Sequence, residues 1–278
     1  MKIYNTLIEV NELQSILNKD QLVLLDCTYY LNDFDKGRRE YLKEHIPGAY
    51  FLDIGHDLSA PVIKGITGRH PLPDPQVITA TLKSCGLNAD SQVVAYDQMN
   101  GAYASRAWWL LKWLGHDKAA ILNGGFAAWK AAGGAVDNQW PPPKKGNFVS
   151  HLREELTVNK EVIPGLQHKL VDSREFKRYT GETEPIDPVA GHIPGAVCIP
   201  YLDNVDEKGF WKSKEFLSEK FKSVTDPAVP PVFYCGSGVT ACHNIFAYKL
   251  ATGLDAKLYG GSWSEWINYY PVAVGVGT

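Results

Sequence analysis

One short segment decides the fold of this chain, and it reads Pro231-Val232-Phe233-Tyr234-Cys235-Gly236-Ser237-Gly238-Val239-Thr240. The β-branched and aromatic residues at 232–234 predict a buried strand, which the prolines at 230 and 231 prevent from starting earlier. From Thr240 to Thr252 the residues favour a helix, and Gly253 suits a left-handed C-cap. The segment therefore predicts a strand, a cysteine, a glycine-containing loop and a helix.

This order of elements has a chemical consequence for Cys235. Gly236 and Gly238 let the backbone turn tightly, so that successive N–H groups can converge on the cysteine sulfur. The N-terminus of the following helix adds positive partial charge. Such a loop favours a thiolate, or a negatively charged sulfur bound to it, whereas a lone cysteine is more often a packing residue. We interpret Cys235 as a nucleophile.

Four motifs of the second half repeat motifs of the first half in the same order. The pairs are LLD at 24–26 with LVD at 170–172, HIPGA at 45–49 with HIPGA at 192–196, VVAYD at 93–97 with PVFYC at 231–235, and LNGGFAAW at 122–129 with LYGGSWSEW at 258–266. A slowly drifting offset indicates two homologous units with insertions and deletions between the motifs. Short apolar strands alternate with helical stretches such as 105–114 and 240–252. The sequence thus predicts an α/β fold of two tandem domains, each a mainly parallel sheet flanked by helices.

The repeats also predict the domain limits. We expect an N-terminal domain at 1–137, a proline-stiffened linker at 138–150 and a catalytic C-terminal domain at 151–278. Asp97 stands where the second unit has Cys235. Since a carboxylate cannot accept a sulfur atom, the N-terminal domain is predicted to be catalytically silent, and Asp97 is interpreted as a surface or capping carboxylate.

The loop from Cys235 to Thr240 and the duplicated motifs resemble the rhodanese superfamily, and within it the two-domain thiosulfate and 3-mercaptopyruvate sulfurtransferases. The loop is similar to the mercaptopyruvate form, because thiosulfate-using relatives usually carry basic residues after the cysteine. The resemblance implies that Cys235 carries a persulfide. It also implies that the loop residues hold the substrate, namely Gly236, Gly238, Val239 and Thr240.

Arginine binds a donor carboxylate or sulfonate with a planar fork of N–H groups. In the family, an arginine after the strand-ending aspartate of the second domain serves this role, and Arg178 matches it, whereas Arg174 is expected to pair with Asp172. Mercaptopyruvate enzymes usually have another arginine after a Glu-Pro pair, where this chain has Ile186. That departure resembles the thiosulfate enzymes and leaves both donors open.

The resemblance also implies polar groups contributed by the first domain. His70 matches a histidine of the mercaptopyruvate enzymes and is predicted to exchange protons with the donor or acceptor through Ser237. Asp53 partly matches the aspartate expected beside it. His45 and His192, each before Ile-Pro-Gly-Ala, are predicted to hold a turn.

Composition excludes several classes of partner. A formal net charge of −3, without a basic block or an acidic tail, predicts no binding to nucleic acid or membrane surfaces. The N-terminus has no apolar signal-like region, and the five scattered cysteines form no Cys-x-x-Cys pair. We therefore expect a cytoplasmic protein with reduced cysteines and neither metal nor organic cofactor.

The sequence predicts a ping-pong sulfurtransferase that moves sulfur from a small anionic donor, with 3-mercaptopyruvate favoured, to a thiol, cyanide or a thioredoxin-like acceptor. A thiosulfate sulfurtransferase and a persulfide carrier module for a protein partner are the alternatives. A cysteine phosphatase would need an arginine six residues after the cysteine, and position 241 is alanine.

Overall fold

Strands and helices alternate along the chain in a computed structural model that describes residues 2–166 and 169–275. The strands are β1 (Leu7–Ile8), β2 (Leu22–Asp26), β3 (Tyr50–Phe51), β4 (Gln92–Tyr96), β5 (Ala119–Leu122), β6 (Leu170–Asp172), β7 (Val197–Cys198), β8 (Val232–Tyr234) and β9 (Lys257–Leu258). The α-helices are α1 (Val10–Ile16), α2 (Lys36–Lys43), α3 (Pro75–Ser84), α4 (Ala104–Trp113), α5 (Gly125–Ala131), α6 (Phe176–Thr180), α7 (Lys214–Phe221), α8 (Thr240–Thr252) and α9 (Ser262–Trp266).

The first unit comprises the described residues up to Ala60, together with Pro73–Arg153 and Glu207–Trp211. Its five strands lie in the order β1-β5-β4-β2-β3, and all neighbouring strands are parallel. Every residue of β2, β4 and β5 is buried. Such runs are typical of a parallel sheet covered on both faces.

The second unit comprises Pro61–Leu72, Glu154–Asp206 and the described residues from Lys212. Its four strands lie in the order β7-β6-β8-β9, again with parallel neighbours only. The predicted α/β fold of two mainly parallel sheets is therefore confirmed. The predicted limits at Met1 and Thr278 lie outside the described residues, and the domain boundaries stay predictions.

The elements around Cys235 form as their residues predict. β8 spans Val232–Tyr234, and α8 runs over Thr240–Thr252 and ends at Gly253, whose φ is 75°. The helix predicted at 105–114 begins and ends one residue earlier, as α4. Ligands of open parallel sheets bind beyond the carboxyl ends of the strands, which is where β8 delivers the cysteine.

Both HIPGA motifs form the same buried turn, each within its own unit. The His45 ring stacks on Tyr41 with centroids 3.8 Å apart, and its Nδ1 lies 2.7 Å from the Tyr41 carbonyl oxygen. The corresponding distances from His192 to Tyr179 are 3.9 and 2.9 Å. The interpretation of these histidines as turn residues is confirmed.

Within residues 2–166 and 169–275, no helix has the length and apolarity needed to cross a bilayer.

Candidate active site

Cys235 is the first residue after β8, and its backbone is held from both sides. Its N–H donates to Ser262 Oγ over 3.1 Å, and its carbonyl oxygen accepts from the Trp263 N–H over 3.0 Å. The residue is only 1% exposed. A reactant that meets this sulfur without local opening must therefore be small.

The loop after Cys235 directs a backbone donor at the sulfur. The Gly238 N–H donates to Cys235 Sγ over 3.2 Å. Gly238 has φ +78°, and a Cβ atom there would lie 2.3 Å from the Gly260 carbonyl oxygen, so only glycine fits. Val239 precedes α8 and Thr240 is its first residue, which puts the N-terminus of a 13-residue helix at the loop.

Although Cys235 is buried, its surroundings are polar rather than apolar. A Cβ atom on Gly236 would lie 2.7 Å from Arg69 Nη2 and 3.5 Å from Arg178 Nη2. Two guanidinium groups therefore lie against the residue that follows the cysteine. Such an environment favours an anionic sulfur and an anionic ligand.

His70 and Ser237 are brought together in the second unit. His70 Nδ1 lies 2.8 Å from Ser237 Oγ, and both residues are buried. The segment Pro61–Leu72, which carries His70, belongs to this unit although it lies far earlier in the chain. The predicted serine–histidine pair is therefore present as a direct hydrogen bond.

Asp53 belongs to the first unit and holds its own turn. Its carboxylate accepts from the N–H groups of Gly55 and His56 at 2.7 and 3.0 Å. Burial raises the pKa of Asp53. These contacts give Asp53 a local structural role, and its place in a serine–histidine–aspartate relay stays a prediction.

Arg178 is already engaged by two carboxylates. Its Nε and Nη2 lie 2.8–3.1 Å from the Glu184 carboxylate oxygens, and Nη2 lies 3.3 Å from Asp187 Oδ2. Its side chain is 13% exposed. The predicted donor-binding residue thus has a fixed orientation and a place beside Gly236.

Arg174 has a structural role, as expected. Its Nε and Nη2 donate to the Asp172 carboxylate at 2.6–3.1 Å, and Nη2 also donates to the Gly191 carbonyl oxygen at 2.6 Å. Burial alone would lower the pKa of Arg174, but the Asp172 and Glu184 carboxylates raise it. Its guanidinium lies over the Trp263 ring, 4.6 Å from the centroid.

Arg69 and Asp187 lie beside the candidate site, although the sequence did not point to either of them. Arg69 Nη1 forms an ion pair with Asp187 Oδ1, so that one buried carboxylate joins Arg69 to Arg178. Burial lowers the pKa of Arg69. The only sequence signal for Arg69 is that it directly precedes His70.

In the first unit, Asp97 fills the loop that corresponds to the cysteine loop. Oδ1 accepts from the N–H groups of Met99 and Gly101 at 2.7 and 2.9 Å, and Oδ2 accepts from those of Tyr103 and Ala104 at 2.8 Å each. Burial raises the pKa of Asp97, while these N–H groups lower it. Asp97 is 1% exposed, so it is a buried capping carboxylate and not a surface one.

The other four cysteines are poorer candidates for a nucleophile than Cys235. Burial raises the pKa of Cys85 and of Cys198 to about 12, and that of Cys27 well above its usual value, so these thiols stay protonated near neutrality. Cys242 is fully buried and its Sγ lies 3.3 Å from the Gly238 carbonyl oxygen, which is a packing role.

Comparisons with known proteins identify the family of this chain. The family model of the Rhodanese-like domain matches residues 9–132 and again 155–269. A probable 3-mercaptopyruvate sulfurtransferase of Pseudomonas aeruginosa is 48% identical over 97% of this chain and 98% of that protein. A putative thiosulfate sulfurtransferase, SseB of Mycobacterium tuberculosis, is 37% identical over 93% of this chain and 92% of that protein.

Two solved structures are similar over nearly the whole chain. The 3-mercaptopyruvate sulfurtransferase of Leishmania major superposes with a TM-score of 0.84 at 30% identity, covering 96% of this chain and 75% of that one. SseA of Escherichia coli, a 3-mercaptopyruvate sulfotransferase, gives 0.81 at 29% identity, covering 93% and 99%.

Two tandem parallel sheets, with a cysteine loop at the end of β8, an inner strand of the second sheet, define a double-domain α/β sulfur-transfer fold. The chain belongs to the rhodanese superfamily. The predicted family, fold class and assignment as a sulfurtransferase enzyme are confirmed.

Proposed function

We propose that the protein transfers sulfur from 3-mercaptopyruvate to an acceptor through a persulfide on Cys235. The observation that carries this proposal is the arrangement around one sulfur. The Gly238 N–H lies 3.2 Å from Cys235 Sγ, and the preceding loop residue, Ser237, is hydrogen-bonded to His70. The 48% identical relative named for the same donor supports it.

In the first half-reaction the Cys235 thiolate attacks the donor sulfur. The new S–S bond forms as the carbon–sulfur bond of the donor breaks, and the bonding electrons leave with the carbon as the enolate of pyruvate. The loop amides and the helix N-terminus stabilise the negative charge near the sulfur. The site is thereby left with a Cys235 persulfide.

Proton transfer is the task of Ser237 and His70 in this proposal. The donor thiol carries a proton that must leave the sulfur, and the pyruvate enolate needs one at carbon. A hydroxyl and an imidazole 2.8 Å apart form a path along which such a proton can move. Thiosulfate needs no such step, because sulfite leaves as a stable anion.

The charges near the loop favour a donor with a single negative charge. The ion-pair network holds three arginines and three carboxylates, namely Arg69, Arg174, Arg178, Asp172, Glu184 and Asp187. Because the charges of the network balance, a dianion beside the thiolate is opposed more strongly than a monoanion. This argument favours 3-mercaptopyruvate over thiosulfate, the second candidate, which the similarity to SseB keeps open.

The proposal also covers the sulfur acceptor and the cellular location of the protein. Cys235 is 1% exposed, which favours a small thiol or cyanide, while the outer sulfur of a persulfide extends about 2 Å further toward a thioredoxin-like acceptor. A cytoplasmic location, independence of metal and organic cofactors, and a silent N-terminal domain belong to the same proposal. The persulfide carrier module is its rival.

Two measurements test this function. Incubation with 3-mercaptopyruvate should add about 32 Da, one sulfur atom, at Cys235, and Cys235→Ser should abolish the adduct. Steady-state assays of both donors with wild type and Ile186→Arg should show a preference for 3-mercaptopyruvate that the added arginine increases. A clear preference for thiosulfate would overturn the donor assignment, and no adduct from either donor would overturn the mechanism. An adduct without turnover to any acceptor would favour the carrier module.

A further inference from the structure

A cavity of about 530 Å³ lies entirely within the first unit, and no step of the proposed sulfur transfer uses it. Its wall includes four aromatic side chains, those of Phe34, Tyr50, Phe51 and Trp140. Cavities of roughly 300–1,000 Å³ are typical of sites for small organic ligands. The cavity is therefore large enough for such a ligand, and the chemistry of its lining decides which kind.

The aromatic part of the wall is held in place by neighbouring groups. The rings of Trp140 and Phe51 both pack against Tyr41, with centroids 5.1 and 5.4 Å from that of Tyr41. The Tyr50 hydroxyl donates to the Pro142 carbonyl oxygen over 2.9 Å. Trp140 is nevertheless 47% exposed. A fixed aromatic surface thus remains open to a ligand.

Two of these aromatic residues are found in the first repeat and not in the second. The first HIPGA motif is followed by Tyr50 and Phe51, whereas the second is followed by Val197 and Cys198. These pairs form β3 and β7, which lie at the same edge of their sheets, beside β2 and β6. The shared fold therefore does not require aromatic residues at this edge, which favours a binding role for them.

The charge of the wall is negative. Three carboxylates, those of Asp35, Asp53 and Asp57, line the cavity together with one guanidinium, that of Arg38. Within residues 2–166 and 169–275, no lysine or arginine forms an ion pair with any of the three carboxylates, and Asp57 Oδ1 lies 3.1 Å from the exposed imidazole of His56. Burial raises the pKa of Asp53, and the nearby charge of Asp57 acts in the same direction. These carboxylates therefore lack a strong counterion.

Helix α3 adds negative potential to the same cavity. Thr81 and Ser84 belong to its last turn and Cys85 is its C-cap, and all three line the cavity. The C-terminus of a helix carries partial negative charge and stabilises a nearby cation. The helix and the carboxylates thus favour a ligand of the same sign.

Arg38 shows that the aromatic wall accepts a cation. Its guanidinium lies over the Trp140 ring, 5.7 Å from the centroid. The face of an indole ring attracts positive charge, and it does so most strongly where water is excluded. A cationic ligand would compete with Arg38 for this ring.

We propose that this cavity binds a small organic cation with an aromatic or apolar body, of the aryl amidinium or ammonium class. The aromatic residues contact the body of the ligand, and the carboxylates supply the opposite charge. This is a second ligand site, in the first unit, and it does not depend on the proposed sulfur transfer.

The test measures binding of benzamidine to the whole chain by calorimetry, with the neutral isostere benzamide beside it. We expect a Kd for benzamidine below about 1 mM and at least tenfold weaker binding of benzamide. Trp140→Ala and Asp57→Asn should each raise the benzamidine Kd about fivefold. Arg38→Gln should lower it several-fold, because it removes the competing cation. Asp57→Asn keeps the oxygen that accepts from the Asp53 N–H, so the turn is preserved.

Two variants are matched controls. Phe216→Ala removes a half-exposed aromatic ring that lies under Lys212 Nζ, 4.3 Å from the centroid. Asp117→Asn removes an exposed carboxylate of the first unit that is paired with Arg153. Neither residue lines the cavity, so both variants should bind benzamidine within twofold of wild type.

The remaining outcomes overturn the proposal. Benzamide binding as tightly as benzamidine would show that the carboxylates select no charge. Binding of benzamidine that is unchanged in Trp140→Ala, Asp57→Asn and Arg38→Gln would place it elsewhere. If benzamidine does not bind below about 10 mM and the chain instead self-associates through a contact that Trp140→Ala abolishes, the aromatic wall serves a second copy of the chain.

Discussion

The N–H of Gly238 and the sulfur of Cys235 are 3.2 Å apart, and the backbone that holds them in this position tolerates no side chain at 238. Gly238 has φ +78°, and a Cβ atom would lie 2.3 Å from the Gly260 carbonyl oxygen. The loop must shift to accept any larger residue, and the N–H then leaves the sulfur.

We therefore expect Gly238→Ala to slow formation of the Cys235 persulfide by about 100-fold or more, the usual cost of removing an aligned donor. Single-turnover mass spectrometry with 3-mercaptopyruvate measures this rate. Gly253→Ala is the matched control, because Gly253 has a similar φ of +75° and no atom within 4 Å of its Cβ position. It should cost about 1–2 kcal/mol of stability and leave the rate unchanged. Equal rates for the two variants would contradict the role of the Gly238 N–H.

Loss of the Ser237–His70 hydrogen bond should slow the turnover of 3-mercaptopyruvate more than the turnover of thiosulfate. Ser237→Ala and His70→Gln each break the 2.8 Å contact. We expect kcat with 3-mercaptopyruvate to fall about 10- to 100-fold, since the pyruvate enolate must be protonated. Turnover of thiosulfate should fall less than about threefold, because sulfite needs no proton.

Assays of 3-mercaptopyruvate and thiosulfate in parallel measure this difference in the loss of kcat. Ser218→Ala is the control, since Ser218 Oγ donates to the Ala251 carbonyl oxygen on another helix and should leave both donors unaffected. An equal loss with both donors would indicate that Ser237 and His70 only maintain the loop.

The sequence predicted those parts of the site that depend on local order. Cys235 ends a strand and begins a glycine loop because of the residues beside it, and the two HIPGA turns form because histidine stacks on a tyrosine within the same unit. His70 and Arg178 were predicted from the resemblance to the rhodanese superfamily. Such a resemblance carries information on contacts between distant residues, which the local pattern of residues does not contain.

Arg69 could not be found in this way. Its partners Asp187 and Gly236 lie more than a hundred residues later, and no periodicity links them. The segment Pro61–Leu72 packs with the second unit, and Glu207–Trp211 with the first, through tertiary contacts that a linear division of the chain does not reveal. Arg178 was predicted from its position in the sequence. Its ion pair with Glu184 was not predicted, because folding of α6 is needed to bring the two side chains together.

Asp26 should make the stability of the first unit depend on pH. The second unit pairs the equivalent Asp172 with Arg174, whereas the first has Thr28, whose N–H reaches Asp26 Oδ1 over 2.9 Å. Burial raises the pKa of Asp26 from 3.8 to about 6. A carboxyl group with a raised folded-state pKa stabilises the fold fully below about pH 4, and this contribution is lost as the pH rises through about 6.

Asp26→Asn keeps a neutral group at every pH. Relative to wild type, its free energy of unfolding should therefore rise by about 2.4 kcal/mol between pH 4 and pH 7. Urea denaturation at several pH values measures the difference. Asp33→Asn is the control, because its hydrogen bond with the Arg39 guanidinium lowers the pKa of Asp33, so any change with pH should have the opposite sign. A pH-independent difference for Asp26→Asn would contradict the prediction.

A positive charge can be added at position 186, where the resemblance to the mercaptopyruvate enzymes predicted an arginine and the chain has Ile186. Ile186 is 40% exposed, and its N–H donates to Glu184 Oε1 over 3.0 Å, which places position 186 beside the carboxylate that holds Arg178. An arginine there needs no buried space and can direct its fork toward the same donor. Ile186→Arg should therefore lower KM for 3-mercaptopyruvate about 3- to 10-fold relative to wild type. Ile186→Lys should lower it less, since it supplies a charge without a planar fork. Steady-state assays of the two variants beside wild type measure the difference. An unchanged KM in Ile186→Arg would show that a side chain at position 186 does not reach the donor carboxylate.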